Sequence, residues 1–380
     1  MEKKLIGVIV LALVLIAGLA FFSQSTPTGA FVAQDQTQNL VTVGASLALT
    51  GKAASYGQDI RNGMELALGD INKSGQKLYL RVLFDDTQSV PEKAVTSAKK
   101  FIEIDGAKAI IEVGADDVLA TVPVTEASKV ILATPIGGSD KIDGAGKYVF
   151  RNREPSKATA YALAELIFAK GYKEAALFIA TSSSPISYSE SFLEKYSSLG
   201  GFAQRYNYSE TSVDVRTSIT KIKEGGIGAV YVVASKDKDG SEIVKQLKEM
   251  GYSGLIVGGP ALETQAFFES ARESVEGVII AVAPVDVNAP NAKEILQEYK
   301  STYGKEMVFS AANAYDLIII LNKAAGLCGE DTDCIRQYLL AVKDYPGMGG
   351  RTTFNLNGGV TKPMSYKIAT EGKFVLYEGS

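Results

Sequence analysis

The sequence contains no histidine, no tryptophan and only two cysteines among its 380 residues. Without histidine, Ser-His-Asp and Cys-His catalysis and histidine-ligated metal sites are excluded. Two thiols are too few for a four-cysteine metal site, and no other pair of nucleophile and base is visible. The sequence therefore predicts a protein that is not an enzyme and that needs no metal or cofactor.

The chain also lacks an excess of basic charge. Lys and Arg together number 39 against 43 Asp and Glu, which leaves a net charge of −4. Nucleic-acid binding requires a clustered basic surface that neutralises phosphates, so no nucleic-acid partner is predicted. Apolar residues make up 46% of the chain, and the length suits two to three domains.

The two cysteines, Cys328 and Cys334, lie six positions apart in the segment CGEDTDC. This spacing leaves two interpretations, a short disulfide loop or two unpaired thiols. An exported protein would favour the disulfide, because structural disulfides persist in oxidising compartments.

The N-terminus has the pattern of an export segment. Lys3 and Lys4 precede an uncharged apolar run of 18 residues, Leu5–Phe22, which is near the minimum length of a membrane span. The run is either an uncleaved membrane anchor or a cleaved signal, and the positive charges predict that the remainder faces outside the cell. The polar segment Ser23–Asn39 is then a flexible tether.

From Leu40 onward, strand patterns and helix patterns alternate, and the series restarts after the segment KYVFRNREP at Lys147–Pro155. Alternation of this kind predicts parallel sheets with right-handed crossovers. Two series predict an α/β chain with two doubly wound lobes.

A glycine-containing loop after the first predicted strand invites comparison with phosphate-binding loops. Gly51, Gly57 and Gly63 are six positions apart, which does not fit G-x-G-x-x-G. Lys52 is followed by Ala53, where a P-loop requires Ser or Thr. The loop is therefore interpreted as one edge of a ligand cleft, where the ring of Tyr56 could cover a ligand.

Four segments resemble, in order, the type I periplasmic binding proteins of the branched-chain amino acid and amide receptor branch. They are the first helix LTGKAASYGQDIRNGMELALGDIN, the second strand-helix unit DDTQSVPEKAVTSAKKFIE, the long helix AANAYDLIIILNKA and the closing segment GMGGRTTFNLNGGVTKPMSYKIATEGKFV. The resemblance extends over residues 40–379. It implies two lobes joined by three crossing strands, which close about a hinge on a small solute.

The resemblance also implies partners and boundaries. Lobe one is expected at residues 40–152 plus 285–344, and lobe two at residues 153–284 plus 345–380. The expected role is delivery of a small polar solute, an amino acid or an amide-like molecule, to the permease of an ABC importer. The alternative is a ligand-binding sensor held at the membrane by its N-terminal helix.

In lobe one, the resemblance transfers two hydroxyl contacts to the ligand, the first of which helps to hold the ligand carboxylate in amino-acid receptors. The first falls on Ala115, which has no hydroxyl and is followed by Asp116 and Asp117. These acids either face the ligand, which disfavours a carboxylate, or cap a helix N-terminus. The second position falls on Gly138, or on Ser139 if the loop is shifted by one.

In lobe two, the resemblance transfers three further ligand contacts. Tyr188 matches a tyrosine that opens a helix, and Ser235 follows a predicted strand. The acid that pairs with the ligand ammonium falls on Ala261. Because Ala115 and Ala261 both depart from the amino-acid pattern, a neutral or amine-bearing ligand is predicted to fit better than a free amino acid.

Overall fold

The computed structural model describes residues 40–51 and 53–379 of the chain. The predicted anchor or signal at Leu5–Phe22 and the tether at Ser23–Asn39 lie outside these residues. Within the described ranges, no helix combines the length and hydrophobicity needed to cross a bilayer.

The first sheet has five parallel strands in the order β2-β1-β3-β4-β5. Neighbouring residues of one strand pack into different apolar clusters: Ile110 of β3 lies in one and Ile111 in the other, so both faces are covered. The strands are β1 (Val41–Leu47), β2 (Leu80–Asp86), β3 (Ala109–Glu112), β4 (Ile131–Thr134) and β5 (Val149–Arg151), with helices α1 (Ala54–Lys73), α2 (Pro91–Glu103) and α3 (Ala115–Ala127) between them.

The second sheet has the order β14-β13-β10-β9-β8-β6-β7, parallel from β10 to β7, with β13 and β14 antiparallel at one edge. Its strands are β6 (Glu174–Ile179), β7 (Phe202–Asn207), β8 (Ala229–Val233), β9 (Leu255–Gly258), β10 (Ile279–Val282), β13 (Ser365–Thr370) and β14 (Lys373–Leu376). The helices of this part are α4 (Ser156–Ala169), α5 (Ser183–Ser198), α6 (Arg216–Glu224), α7 (Asp237–Glu249) and α8 (Gln265–Ala271). The alternating pattern of the sequence thus predicted both sheets.

Between β10 and β13 the chain forms three helices and a two-stranded antiparallel sheet. These elements are α9 (Ala292–Tyr303), α10 (Phe309–Cys328), α11 (Thr332–Ala341), β11 (Tyr345–Gly347) and β12 (Gly350–Thr352). Cys328, the last residue of α10, is linked by a disulfide to Cys334 in α11. The disulfide interpretation is therefore confirmed over the two unpaired thiols.

The glycines of the first helix serve close packing. A Cβ atom on Gly57 would lie 2.0 Å from the carbonyl oxygen of Ala48, and one on Gly63 would lie 2.1 Å from that of Ala311 in α10. Only glycine allows α1 to approach the end of β1 and the backbone of α10 so closely. Close packing therefore explains Gly57 and Gly63, whose spacing does not fit a phosphate-binding loop.

Two helices begin earlier than their apolar periodicity predicts. Helix α5 begins at Ser183, so Tyr188 lies in its second turn rather than at its start. Helix α7 begins at Asp237, and Asp237 and Asp239 are buried. The charged run Lys236–Gly240 therefore leads into a helix and is not a solvated loop, because its acids occupy the first turn, which favours negative charge.

Candidate functional site

A cavity of about 320 Å³ lies between the carboxyl ends of strands from both sheets. Residues that follow β3, β8 and β9 line it, as expected for open α/β sheets, where ligands bind beyond the strand ends. Ligand pockets commonly start at about 300 Å³, so this one suits a small molecule. The lining includes six of the site residues predicted from the sequence, namely Tyr56, Ala115, Asp116, Tyr188, Ser235 and Ala261.

Tyr56 and Ala261 meet across the cavity. Tyr56 lies in the first turn of α1, and its hydroxyl donates a hydrogen bond to the carbonyl oxygen of Ala261 at 2.7 Å. Burial raises the pKa of Tyr56 well above its usual value, so the hydroxyl stays protonated and donates. The resemblance implies an acidic side chain in this loop. The loop instead presents the methyl group of Ala261 and a carbonyl oxygen that already accepts the hydrogen bond from Tyr56.

The acids that follow Ala115 have separate roles. Asp116 reaches across the cleft, where the backbone nitrogen of Ser183 lies 3.4 Å from its carboxylate and the Ser183 hydroxyl donates to it. Asp117 accepts a 3.3 Å hydrogen bond from the hydroxyl of Ser89. Burial raises the pKa of Asp117 to about 6, so at neutral pH it is a buried carboxylate in the cavity wall.

Ser235 belongs to a polar group at the more exposed part of the cavity. Its hydroxyl donates to Glu210 Oε2 at 2.8 Å, and Lys236 Nζ lies 3.3 Å from the same oxygen. The side chains of Glu210 and Lys236 are 17% and 22% exposed. All three residues line the cavity.

Gly138 and Ser139 lie behind the cavity wall and do not line it. The Ser139 hydroxyl is buried and lies 3.1 Å from the hydroxyl of Ser187. A Cβ atom on Gly138 would lie 3.1 Å from Nη1 of Arg153 and 3.2 Å from the hydroxyl of Tyr188. The glycine therefore leaves room for the guanidinium of Arg153.

Arg153 is one of the cavity residues that were not predicted from the sequence. Its Nη1 donates to the carbonyl oxygen of Ile136 at 2.6 Å, and its Nη2 donates to the hydroxyl of Tyr188. The guanidinium carbon lies 5.4 Å from the ring centre of Phe309, within cation–π range. The side chain is 7% exposed, and Glu154 Oε1 lies 3.6 Å from its Nε.

The position of Arg153 in the chain carried a usable signal. It follows β5 by two residues, and the carboxyl ends of parallel strands in one sheet share one edge. A cation directly after a buried strand of the first series was therefore a candidate for the cavity. The sequence pattern by itself indicates only a crossing between the two series at this segment.

Comparisons with known proteins identify what the chain is similar to. A family model described as periplasmic binding protein matches residues 40–367. The Leu/Ile/Val-binding protein BraC3 of Rhizobium johnstonii is 23% identical over 334 residues, which cover 84% of this chain and 89% of that protein.

Two crystal structures share the fold at low sequence identity. The branched-chain amino acid transporter substrate-binding protein LivJ from Streptococcus pneumoniae, in complex with isoleucine, superposes with a TM-score of 0.81 at 22% identity, covering 88% of this chain and 97% of that one. An ABC transporter solute-binding protein from Rhodopseudomonas palustris, in complex with 3,4-dihydroxybenzoic acid, gives 0.78 at 19% identity, covering 89% and 95%. These superpositions confirm the predicted two-lobed fold.

Proposed function

The chain belongs to the periplasmic binding protein family, and we propose that it captures a small carboxylate with an apolar body between its two lobes. Membership confirms the sequence-based prediction of an extracytoplasmic solute-binding protein of the ABC transporter type that carries out no reaction on its ligand. The class of ligand is the new element of the proposal.

The observation that carries the proposal is the buried guanidinium of Arg153 in the cavity wall. Two of its N–H groups are used by Ile136 and Tyr188, and each terminal nitrogen of a guanidinium carries a second N–H. A buried charged donor is an effective partner for a carboxylate, since charge-assisted hydrogen bonds are roughly twice as strong as neutral ones.

The other lining residues supply an apolar surface. The rings of Tyr56, Tyr188, Tyr231 and Phe309 line the cavity together with aliphatic residues such as Val113. Isoleucine and 3,4-dihydroxybenzoic acid, the ligands of two proteins of this fold, share one feature, a carboxylate on a largely apolar body. That shared chemistry matches a cation surrounded by rings and replaces the earlier expectation of a neutral or amine-bearing ligand.

Closure about a hinge is the mechanism that we propose. A ligand that contacts both lobes binds the closed form more tightly than the open form and so shifts the population toward it. The proposed lobes are residues 40–152 plus 285–344 and residues 153–284 plus 345–380. The closed protein would then present its ligand to the permease of an ABC importer, with Leu5–Phe22 as its anchor or signal.

The test is calorimetry on purified protein with matched acids and amides. Leucine, isoleucine, benzoate and 4-hydroxybenzoate are compared with leucinamide and benzamide. We expect at least one acid to bind, its amide to bind far more weakly, and Arg153→Gln to weaken the acid by roughly 10- to 100-fold, since a hydrogen bond to a charged group contributes about 1.5–3 kcal/mol.

Arg216→Gln is the control, because Arg216 is half exposed and outside the cavity. Arg153→Lys keeps the charge and covers the case in which Arg153→Gln fails to fold. Equal affinity for an acid and its amide, or full affinity in both Arg153 variants, would overturn the proposed function.

A further inference from the structure

Three tyrosines line the cavity, and the hydroxyl of one of them is unpaired. Tyr56 donates its hydrogen bond to the carbonyl oxygen of Ala261, and the hydroxyl of Tyr188 accepts one from Arg153. The hydroxyl of Tyr231 has no hydrogen-bond partner among the residues that the structure describes. Tyr231 is nevertheless only 1% exposed. A buried hydroxyl without a partner costs free energy, and native proteins pair nearly all such groups.

The side chain of Tyr231 directs this hydroxyl at the cavity. The residue lies in β8, and its ring packs on the ring of Phe192 in α5, with 5.2 Å between the ring centres. The hydroxyl lies beside Gly259, where a Cβ atom would be 3.8 Å from the hydroxyl oxygen. Tyr231 and Gly259 both line the cavity, and the oxygen is not one of the unpaired side-chain atoms that are sealed inside the protein. The hydroxyl is therefore fixed by packing and open to a ligand.

The surroundings of this hydroxyl favour a negatively charged partner. Burial raises the pKa of Tyr231 well above its usual value, so the hydroxyl keeps its proton and can donate. Arg153 acts on it electrostatically, and this is the guanidinium proposed above as the partner of the ligand carboxylate. A positive charge at this place attracts a carboxylate and repels an ammonium group.

Resting on the proposed function, we propose that Tyr231 determines specificity as a second donor to the ligand carboxylate, with its hydroxyl on one oxygen and Arg153 on the other. A carboxylate has two acceptor oxygens that can occupy both donors at once. Hydrogen bonds to an ionised acceptor are roughly twice as strong as neutral ones, so the pair favours acids. An alcohol has one oxygen for the two donors, and an amide replaces one oxygen by a group that itself donates.

The test is removal of the Tyr231 hydroxyl alone. In benzoate and 4-methylpentanoate the carboxylate is the only polar group, so both plain acids report on this contact without interference from an ammonium or a phenol. We expect Tyr231→Phe to weaken each plain acid that binds by roughly tenfold or more in calorimetry on the full chain, the effect of one hydrogen bond to a charged group. Leucine and 4-hydroxybenzoate should lose affinity by the same factor, because they present the same carboxylate.

Tyr196→Phe is the matched control. Tyr196 is buried and packs on the same Phe192, with 5.0 Å between the ring centres, but it does not line the cavity. Its hydroxyl donates to the carbonyl oxygen of Tyr172 at 2.9 Å. In a denaturant titration without ligand, we expect Tyr196→Phe to lower the stability because it breaks this bond, and Tyr231→Phe to leave it unchanged or higher because it breaks none. The affinities should show the opposite pattern.

The outcomes separate this inference from the proposed function. Full affinity for a plain acid in Tyr231→Phe overturns the inference, while a loss in Arg153→Gln still supports capture of a carboxylate. A loss confined to leucine or to 4-hydroxybenzoate also overturns it, because the hydroxyl then meets the ammonium or the phenol. The inference fails as well if Tyr231→Phe lowers the stability without ligand, which indicates a structural role, or if neither plain acid binds. If none of the four acids binds, the proposed function fails together with the inference.

Discussion

The hydroxyl of Tyr56 and the carbonyl oxygen of Ala261 are 2.7 Å apart, although 205 positions separate the two residues in the chain. The bond joins the first helix of one sheet to a loop that follows a strand of the other. It therefore connects the two walls of the cavity directly, without a ligand between them.

Removing this bond should favour the open form. We expect Tyr56→Phe to weaken every ligand by roughly two- to tenfold, because a net hydrogen bond contributes about 0.5–1.5 kcal/mol and this one is made only when the walls meet. Calorimetry measures the affinity, and small-angle scattering measures the open fraction. Tyr161→Phe, which removes an exposed hydroxyl bonded to Glu194, is the control. An unchanged affinity with an unchanged open fraction would contradict the role of the bond in closure.

Asp116 should act on closure rather than on ligand choice. Its carboxylate accepts from Ser183 of the opposite wall, so we expect Asp116→Ala to weaken all ligands by a similar factor. The measurement is the ratio of affinities for two chemically different ligands before and after substitution. Asp214→Ala, at an exposed position, controls for loss of one negative charge. A selective loss for amine-bearing ligands would instead make Asp116 a ligand contact, as the resemblance implied.

Gly138 should tolerate no side chain. A Cβ atom there would crowd the Arg153 guanidinium and the Tyr188 hydroxyl, so Gly138→Ala should displace the charge that holds the ligand carboxylate. We expect roughly a tenfold loss of affinity for carboxylates, comparable to one charge-assisted hydrogen bond. In Gly69→Ala the new Cβ meets nothing within 4 Å, which makes it the matched control. Equal carboxylate affinities in the two variants would show that Gly138 does not constrain the guanidinium.

The affinity for a plain carboxylate ligand such as benzoate should depend on pH near 6. Burial raises the pKa of Asp117 to about 6, and the charged groups near it are Glu112, Asp116 and Lys236. A ligand carboxylate in the same cavity opposes ionisation and raises the pKa of Asp117 in the complex, so affinity should fall as the pH rises through about 6 and level off at higher pH. Titration calorimetry between pH 5 and 8 measures this dependence, a window in which the ligand carboxyl group keeps its charge, since its pKa lies near 4.

Asp117→Asn should flatten this profile, because the amide does not titrate. Equal affinities at pH 5 and pH 8 in the parent protein would count against a ligand carboxylate near Asp117.

The disulfide between Cys328 and Cys334 should contribute to stability and not to binding. It closes a short loop at the end of α10, and a loop of this length stabilises the fold by about 2 kcal/mol in the chain-entropy model. We expect the double variant Cys328→Ser and Cys334→Ser to lower the free energy of unfolding by about that amount in a denaturant titration. Ligand affinity should not change, because neither cysteine lines the cavity. A lower affinity at unchanged stability would contradict this assignment.

The fold could be predicted from the sequence because its signals are local. Apolar strands buried on both faces, amphipathic helices between them and a restart after Lys147–Pro155 are patterns within a few tens of residues, and the two sheets follow from them. The disulfide followed from two nearby cysteines, and the absence of histidine excluded whole classes of chemistry.

The first residues of two helices were harder to predict from the sequence. Helix α5 begins at Ser183 and α7 at Asp237, in polar segments without apolar periodicity. Contacts with distant residues help to fix these starts. Ser183 donates a hydrogen bond to Asp116, and the hydroxyl of Ser55 donates one to Asp237 at 2.6 Å.

The sequence by itself determined two parallel-sheet lobes and, largely through ordered resemblance, six of the residues that line the cavity. Only the tertiary structure decided what each residue does there. Asp116 bonds to the opposite wall, Gly138 makes room, and Arg153 supplies a buried positive charge in the cavity wall. The reason is geometric. The cavity forms where strand ends of two sheets converge, so its chemistry depends on segments far apart in the chain. No local sequence pattern shows which of these segments come into contact.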